Sequence, residues 1–519
     1  MKIHFYICEL LDYGVANGLI KEDDRFWAAN RIIDELGLTS FEARKTNKTR
    51  KTKTLQNLPK YPTEILAKIS QWAVENRKIK DLPIERELLE TAVIGSFLQR
   101  PSDFIAKFNQ SSSKQGIKTA LCNFYEQEKR VYYIKVERIQ KNIVWKTKTK
   151  YGTFDITINL SKPERTPQEI IAVKELGTSA LSKQDYPKCV LCPQNEGYAG
   201  RLNYPPRQNV RLIPLTLNNE HWFFQFSPYV YYNEHSIILA ERHTDMKIDK
   251  KTFARFADFL DKIPHYFIGS NADLPIVGGS ILNHDHYQGG NYSFPLYRAK
   301  TLKTFKLKKF PKVVCSILCW PMSIVRIVGQ KKDIVGAASH IFNVWKSYSD
   351  KSLSINSYSV DDKKNRTPHN TITPLAKMTD GKMQMDLVLR NNCVSKDFPD
   401  GIFHTDPRFF HIKRENMGLI ESLGLAVLPG RLKNAMEKIS GRLIAGKIDE
   451  IKKDKETADH YCWAVELANK YKFTVKNSQD ILKKEIGLAF VAALECCKIF
   501  KDTPAGAAGF NRFVERLNR

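Results

Sequence analysis

The residues best suited to chemistry lie in one short run, residues 283–290, which reads NHDHYQGG. In an extended strand, residues two apart point to the same side, so His284, His286 and Gln288 would line one surface with their polar tips close together. A neutral imidazole can attack a phosphate ester through one ring nitrogen while the other nitrogen holds its proton against an acceptor. The run therefore predicts a histidine nucleophile. The alternative is a set of half-exposed polar side chains without a chemical role.

Such chemistry also needs hydrogen-bond donors for the phosphoryl oxygens. A sugar phosphate that leaves a pyrophosphate is already a stable anion, so the protein mainly holds the phosphorus in line and stabilises charge on the equatorial oxygens. The amide hydrogens of Gln288 can donate there, as can backbone N–H groups of Gly278, Gly279 and the pair Gly289 and Gly290.

Two cysteines, Cys189 and Cys192, have the CxxC spacing of a metal site. Two thiolates at this spacing can hold one ion from a tight turn, and a tetrahedral zinc site would need two more ligands. His243 follows a predicted strand and is the candidate third ligand, whereas His235 precedes that strand and is expected to pack or hydrogen-bond near a nucleotide. The alternative is two reduced cysteines beneath a loop, with both histidines as ordinary surface residues.

The periodicity of apolar residues predicts the elements that position these groups. Residues 1–125 have apolar residues at three- and four-residue spacing and are predicted to be mainly helical. A further helix is predicted from about Asp249, because apolar residues recur on one face from Phe253 to Leu260. Helical regions are also predicted from about Glu415 and about Glu456.

From about residue 131 the pattern becomes that of strands, rich in β-branched and aromatic residues. The predicted strands are 131–136, 142–148, 154–160, 211–217, 222–226, 236–240, 322–328, 371–376 and 385–389. The second and third of these flank Tyr151-Gly152 as a hairpin. Residues 329–335 and 348–366 are polar and basic and are predicted to be loops.

Length and composition exclude several classes of protein. A chain of 519 residues is too long for one ordinary core, and a hydrophobic share of 42% does not suit a disordered protein. No apolar run approaches the roughly 20 residues of a membrane span. The ten cysteines are scattered and do not resemble a secreted disulfide framework, so we expect a cytoplasmic location.

The formal charge of +26 allows either a nucleic-acid partner or small anionic substrates. The densest basic segment, residues 44–53, has no interleaved aromatic residues for base stacking, and the chain shows no known binding module. We therefore interpret this segment as a solvated linker and expect no nucleic-acid partner.

Three long motifs, taken together, resemble a known family: CVLCPQNEGYAGRLNYPPRQN, FSPYVYYNEHSIILAERH and PHYFIGSNADLPIVGGSILNHDHYQGG. They are similar to the longer, second sequence family of galactose-1-phosphate uridylyltransferases. Further segments, including LLDYGVANGLIKEDDRFW and FHIKRENMGLIESLGLAVLPGRL, look like the same family, so the resemblance covers nearly the whole chain.

The resemblance implies an α+β fold with two histidine-triad-like units. The expected division is a helical region at 1–125, a first unit at 126–300 with the CxxC and HxHxQ motifs, a second unit at 301–450, and a helical region at 451–519. It also implies transfer of UMP from UDP-glucose to galactose 1-phosphate in two steps, and a homodimer without a membrane partner.

Roles for individual residues also come from the resemblance. His286 matches the nucleophile of the family, and Gln288 matches a residue that contacts the phosphoryl group. His284 resembles a zinc ligand, which would join Cys189, Cys192 and His243 in a structural site that does not touch substrate. The predicted phosphate contacts are Asn271, Gly278, Gly279 and Lys413.

The sequence departs from the better-described first family at several positions. That family has HPHGQ where this chain has HDHYQ, and its cysteine–serine pair has no clean counterpart at Ser280-Ile281. No equivalent of its second metal site is found, and His404 and His411 stay unassigned.

Two other functions fit parts of the same sequence. A histidine-triad hydrolase or dinucleoside polyphosphate phosphorylase shares the histidine nucleophile but passes the nucleotidyl group to water or phosphate. A zinc-bearing nucleic-acid-binding protein would explain the CxxC motif and the positive charge, but not the HxHxQ motif.

Overall fold

The computed structural model describes residues 2–42, 58–161, 168–169, 171, 186–279 and 281–519. The basic segment at 44–53, predicted to be a linker, lies outside these residues, as does Ser280. Among the described residues, no helix combines the length and the apolar character needed to cross a membrane.

Fifteen strands in the described residues form one large sheet and two small ones. Their bounds are β1 Ile143–Thr149, β2 Gly152–Asn159, β3 Ile213–Leu217, β4 Glu220–Phe226, β5 Ser236–Ala240, β6 Phe267–Gly269, β7 His286–Gly290, β8 Thr301–Leu307, β9 Phe310–Leu318, β10 Ile324–Gly329, β11 Tyr358–Val360, β12 Arg366–Pro368, β13 Asn370–Thr379, β14 Lys382–Asn391 and β15 Leu425–Pro429. The large sheet has ten strands in the order β3-β4-β5-β7-β6-β13-β14-β10-β9-β8. The small sheets are β1-β2-β15 and β11-β12.

The helices are concentrated before β1 and after β15. Their bounds are α1 Lys2–Ala16, α2 Arg25–Glu35, α3 Thr63–Glu75, α4 Pro83–Gly95, α5 Pro101–Gln115, α6 Ile117–Arg130, α7 Val136–Ile139, α8 Lys250–Lys262, α9 Lys331–Lys346, α10 Leu419–Ser422, α11 Leu432–Ile444, α12 Asp449–Lys453, α13 Tyr461–Lys470, α14 Ser478–Cys496 and α15 Pro504–Leu517. The predicted helical regions at both ends of the chain are confirmed.

The ten-stranded sheet consists of two halves with the same connectivity. Each half has three antiparallel strands in sequence, then a helix, then two further strands that add to the inner edge: β3-β4-β5-α8-β6-β7 and β8-β9-β10-α9-β13-β14. The halves meet where β6 pairs with β13 in an antiparallel register centred on Ile268 and Ala376. The predicted α+β fold is confirmed, while the four-part division of the chain stays a prediction.

The large sheet is covered on both faces. On one face, Ile238 and Ile268 belong to a core that includes Phe253 and Phe256 of α8 and extends to the N-terminal helices. On the other face, Phe267 and other residues of the large sheet share a second core with the three-stranded sheet and with α11 and α14. Phe154 of β2 stacks on Trp320 within this second core at a ring distance of 4.7 Å.

Most of the predicted elements around the site are confirmed. The hairpin at Tyr151-Gly152 is β1 and β2, and the strand predicted at 236–240 is β5. Helix α8 begins directly after Asp249, whose side chain caps it by accepting from the backbone N–H groups of Lys251 and Thr252.

Four of the predictions were wrong. Residues 348–366 are not entirely a loop, because they contain β11, which pairs with β12. Residues 131–136 do not form a strand, because Tyr132 has a φ of 61°. Val131 to Ile134 are all buried, and such a fully buried segment has a continuous apolar sequence like that of a buried strand. Residues 331–335 are the polar first turn of α9, not a loop, and Ile334 is its first buried position. The region after Glu415 contains β15, a short parallel strand, in addition to helices.

Substitution of Gly487 by alanine tests the packing of the second core. Helix α14 packs on β1, and a Cβ atom at Gly487 would collide with the side chain of Thr147. We expect Gly487→Ala to lower the free energy of unfolding by about 1–3 kcal/mol, the usual cost of overpacking. Chemical denaturation followed by circular dichroism measures the change.

A matched control is Gly441→Ala in α11, where a Cβ atom would meet nothing within 4 Å. This substitution should leave stability unchanged or raise it by up to about 1 kcal/mol, because alanine favours the helix. Equal effects of the two substitutions would contradict the close packing of α14 on β1.

Candidate active site

The HxHxQ run lies at the centre of the first half-sheet, between β5 and β6. Strand β7 begins at His286, which is opposite Leu239 of β5, while Gln288 is opposite Ile237 of β5 and Gly269 of β6. The prediction that three polar tips converge on one surface needs a correction. His284 precedes the strand, and its ring faces two cysteine thiols because its other nitrogen bonds to the backbone.

The imidazole of His286 is held in one tautomer. Its Nδ1 lies 2.8 Å from the carbonyl oxygen of His284, and a carbonyl oxygen can only accept, so the proton of the neutral ring is on Nδ1. The side chain is 7% exposed, and burial lowers its pKa to about 4. At neutral pH the ring is therefore uncharged, and Nε2 carries the lone pair that a nucleophile needs.

A cavity of about 570 Å³ lies beside this strand, between the large sheet and the segment that contains α10 and β15. Gln288 and the four predicted phosphate contacts line it: Asn271, Gly278, Gly279 and Lys413. His286 is not among the lining residues and lies two residues before Gln288 on the same strand. The remaining wall includes Asn159, Tyr231, Glu421 and residues 427–430.

Asn271 and the two glycines are tightly fitted together. The backbone N–H of Leu419 donates to Oδ1 of Asn271 at 2.8 Å, which fixes the amide so that its nitrogen lies beside Gly279. A Cβ atom at Gly279 would be 2.5 Å from that nitrogen, and one at Gly278 would be 2.6 Å from the carbonyl oxygen of Leu274. Glycine is therefore required at both positions for close packing.

Lys413 lies at the cavity but its charge is already paired. Its Nζ donates to Oε1 of Glu421 at 2.6 Å and to the carbonyl oxygen of Val427 at 3.1 Å. The second carboxylate oxygen of Glu421 accepts from the backbone N–H of Gly418. Sequence reasoning missed Glu421; a single carboxylate within the apolar run GLIESLGLAVLP was the available signal.

His235 is buried next to Gln288, and its expected place near a nucleotide stays a prediction. Its ring lies against those of Tyr231 and Tyr232, at centroid distances of 5.0 and 4.6 Å. The backbone N–H of Tyr231 points at its Nδ1 from 3.5 Å. Burial lowers the pKa of His235 to about 3, and contact with Gln288 opposes that shift in part.

The four predicted metal ligands come together in one cluster. Nδ1 of His284 lies 3.3 Å from Sγ of Cys189, and Nδ1 of His243 lies 3.2 Å from Sγ of Cys192. The four ligand atoms all lie within 4.8 Å of one another, and no other group of three or more such residues occurs among the described residues. Two thiols and two imidazoles at these distances can hold one metal ion.

Backbone carbonyls orient the cluster. Nε2 of His284 donates to the carbonyl oxygen of Ala240 at 2.9 Å, so the lone pair of Nδ1 faces the thiols. Asn195 donates to the carbonyl oxygens of both Cys189 and Cys192 at 2.8 Å and so braces the CxxC turn. This donor set and its support fit a structural metal.

The two unassigned histidines join neither group. His404 contacts Oδ1 of Asn416 at 3.2 Å, and His411 pairs with His460 through their Nδ1 atoms at 2.9 Å. In the part of the chain that the structure describes, neither belongs to a cluster of three metal-ligating residues.

Two family models match this chain. "Galactose-1-phosphate uridyl transferase, N-terminal domain" covers residues 20–245, and "Galactose-1-phosphate uridyl transferase, C-terminal domain" covers residues 259–457. The chain belongs to the galactose-1-phosphate uridylyltransferase family. The metal cluster spans both matches, because Cys189, Cys192 and His243 lie in the first and His284 in the second.

Curated relatives match over the whole length. A galactose-1-phosphate uridylyltransferase from Halalkalibacterium halodurans is 44% identical, over 100% of this chain and 99% of its own. Proteins of the same name from Bacillus subtilis and Staphylococcus carnosus are 43% and 39% identical, over 100% and 99% of this chain and 98% and 99% of their own. No solved structure shows a significant match.

Removal of one thiol tests the cluster. We expect the native protein to carry about one metal ion per chain and Cys189→Ser to lose most of it, with a lower thermal midpoint, because metal binding contributes to folding stability. Elemental analysis of the purified protein measures the content. The control is Cys122→Ser, an exposed cysteine that should have no effect. Unchanged metal content in Cys189→Ser would contradict the assignment.

Proposed function

We propose that this protein transfers UMP from UDP-glucose to galactose 1-phosphate and yields UDP-galactose and glucose 1-phosphate. The observation that carries the proposal is the neutral, single-tautomer imidazole of His286 on the same strand as Gln288 at a polar cavity. Family membership supports the substrates, because all the relatives named above are galactose-1-phosphate uridylyltransferases.

The reaction takes two displacement steps at one phosphorus atom. In the first, the lone pair of His286 Nε2 forms a bond to the α-phosphorus of UDP-glucose, and the bond to the bridging oxygen breaks, so that glucose 1-phosphate leaves with those electrons. In the second, a phosphate oxygen of galactose 1-phosphate attacks the same phosphorus, and the P–N bond breaks. His286 Nδ1 keeps its proton against the carbonyl of His284 throughout.

The cavity offers uncharged hydrogen-bond donors for the negatively charged phosphoryl oxygens. Asn271 and Gln288 present amide groups at the lining, and the cation of Lys413 is balanced by Glu421. Amide donors stabilise the equatorial oxygens without adding a full charge that would hold an anionic product. We propose Asn271, Gly278, Gly279 and Lys413 as the substrate-binding residues. Lys413 would contribute by holding Glu421 and the carbonyl oxygen of Val427 in place in the wall of the cavity.

We further propose that the metal is zinc and that its role is structural. Cys189, Cys192, His243 and His284 would hold it. Bound zinc would link the CxxC turn to His284, two residues before the first residue of the catalytic strand. The homodimer, the cytoplasmic location and the absence of nucleic-acid and membrane partners stay predictions.

Replacement of His286 tests the nucleophile. We expect His286→Gly to reduce exchange by on the order of 10⁴-fold or more, because the proposed P–N bond forms at Nε2 of His286. Intact-protein mass spectrometry after mixing with UDP-glucose should show a UMP adduct on the native protein and none on the variant. Peptide mapping should place the native adduct on His286.

The matched control is His221→Gly, because His221 is an exposed histidine on β4. This variant should keep the adduct and the exchange rate. A UMP adduct that persists in His286→Gly would place the nucleophile on another residue.

Incubation with UDP-glucose alone separates transfer from the two rival reactions. A transferase should release one equivalent of glucose 1-phosphate per active site in a burst and then stop, because the uridylyl group has no acceptor. Rapid quench followed by chromatography measures the product. Steady release without an acceptor would support a hydrolase, and release that continues only with inorganic phosphate would support a phosphorylase.

A further inference from the structure

Asn271 and Gln288 are among the residues with side-chain amides that line the cavity, and an amide is useful to a phosphoryl group only through its N–H end. Its oxygen carries lone pairs and would repel a phosphoryl oxygen. Asn271 is held in the useful orientation because its Oδ1 accepts from the backbone N–H of Leu419. Oε1 of Gln288 is also buried, and among the described residues no backbone N–H group donates to it.

His235 is placed to supply the missing donor. Ile237 lies opposite Gln288 in the register of β5 and β7, and His235 is two residues earlier, so its side chain is on the same face of the sheet. The side chains of His235 and Gln288 are in contact, and in the part of the chain that the structure describes Nε2 of His235 and Oε1 of Gln288 are both buried without another partner.

The surroundings of His235 decide which nitrogen carries the proton. The backbone N–H of Tyr231 points at Nδ1, so Nδ1 is the acceptor and the hydrogen of the neutral ring is on Nε2. The rings of Tyr231 and Tyr232 hold the imidazole on two sides, and the side chain is 2% exposed. A buried donor and a buried acceptor that touch each other gain most by pairing, because each would otherwise remain unsatisfied.

We propose that His235 is a positioning residue for uridylyl transfer: its Nε2–H donates to Oε1 of Gln288 and holds the amide hydrogens of Gln288 toward the phosphoryl oxygens. The inference rests on the proposed function. It predicts that His235 affects the rate of the chemical step and does so only through Gln288, without touching substrate.

The first test compares two substitutions of His235 by single-turnover release of glucose 1-phosphate from UDP-glucose. His235→Phe keeps a ring against Tyr231 and Tyr232 but has no hydrogen-bond donor. The side-chain amide of Gln288 can then rotate so that its oxygen faces the phosphoryl group, and we expect a rate loss of about 10- to 100-fold. His235→Gln carries an N–H at a similar reach and should stay within about threefold of the native rate. If His235→Phe does not fold, His235→Leu takes its place.

The second test is a double-mutant cycle with Gln288→Ala. On that background the loss caused by His235→Phe should shrink to less than about twofold, because the partner is gone. The control is His221→Phe, the same change at an exposed histidine on β4, which should change the rate by less than about twofold on either background. Thermal midpoints of all variants show whether a rate loss follows from unfolding.

Two results would overturn the proposal. One is a full loss from His235→Phe on the Gln288→Ala background, which would mean that His235 acts on the fold or on substrate directly. The other is a His235→Gln variant as slow as His235→Phe at an unchanged thermal midpoint. Absence of glucose 1-phosphate release from the native protein would instead overturn the proposed function, and this inference with it.

Discussion

The site depends on one residue that serves two groups at once. His284 contributes its ring to the cluster of two cysteines and two histidines and its carbonyl oxygen to Nδ1 of His286. The orientation of the His286 ring is therefore set by the backbone of a residue that belongs to the cluster, rather than by a flexible side chain. A metal ion held by the cluster could in this way influence the proposed nucleophile two residues away.

The two halves of the large sheet differ in the side chains at equivalent positions. The two halves have the same connectivity about the junction of β6 and β13, so Gly269 of the first half is equivalent to Lys377 of the second. Gly269 pairs with Gln288 of β7, and Lys377 pairs with Gln384 of β14. In the second half, Gln384 donates to Asp386, whose carboxylate holds Arg326 through two bonds. In the second half-sheet, a buried ion pair therefore links neighbouring strands. In the first half-sheet, the equivalent region has a neutral histidine beside a cavity.

The sequence was sufficient to predict groups that are close in the chain or have a distinctive spacing. The CxxC pair, the HxHxQ run and the start of α8 near Asp249 all depend on local geometry. The wall of the cavity could not be predicted in the same way. The bond from Leu419 to Asn271 and the pairing of Lys413 with Glu421 depend on how a short segment around α10 and β15 docks on the large sheet. The strand predicted at 131–136 was wrong for a different reason, because a completely buried segment shows no periodic pattern of apolar residues.

The parallel pairing of β2 with β15 has a consequence for how the protein acquires its shape. Residues near 155 and near 425 must meet before the cavity has its far wall, and contacts between such distant segments form late because chain closure is entropically costly. During synthesis on the ribosome, the strand that carries His286 emerges well before that wall. The nascent chain therefore passes through a stage in which the proposed nucleophile is present but its cavity is not yet enclosed.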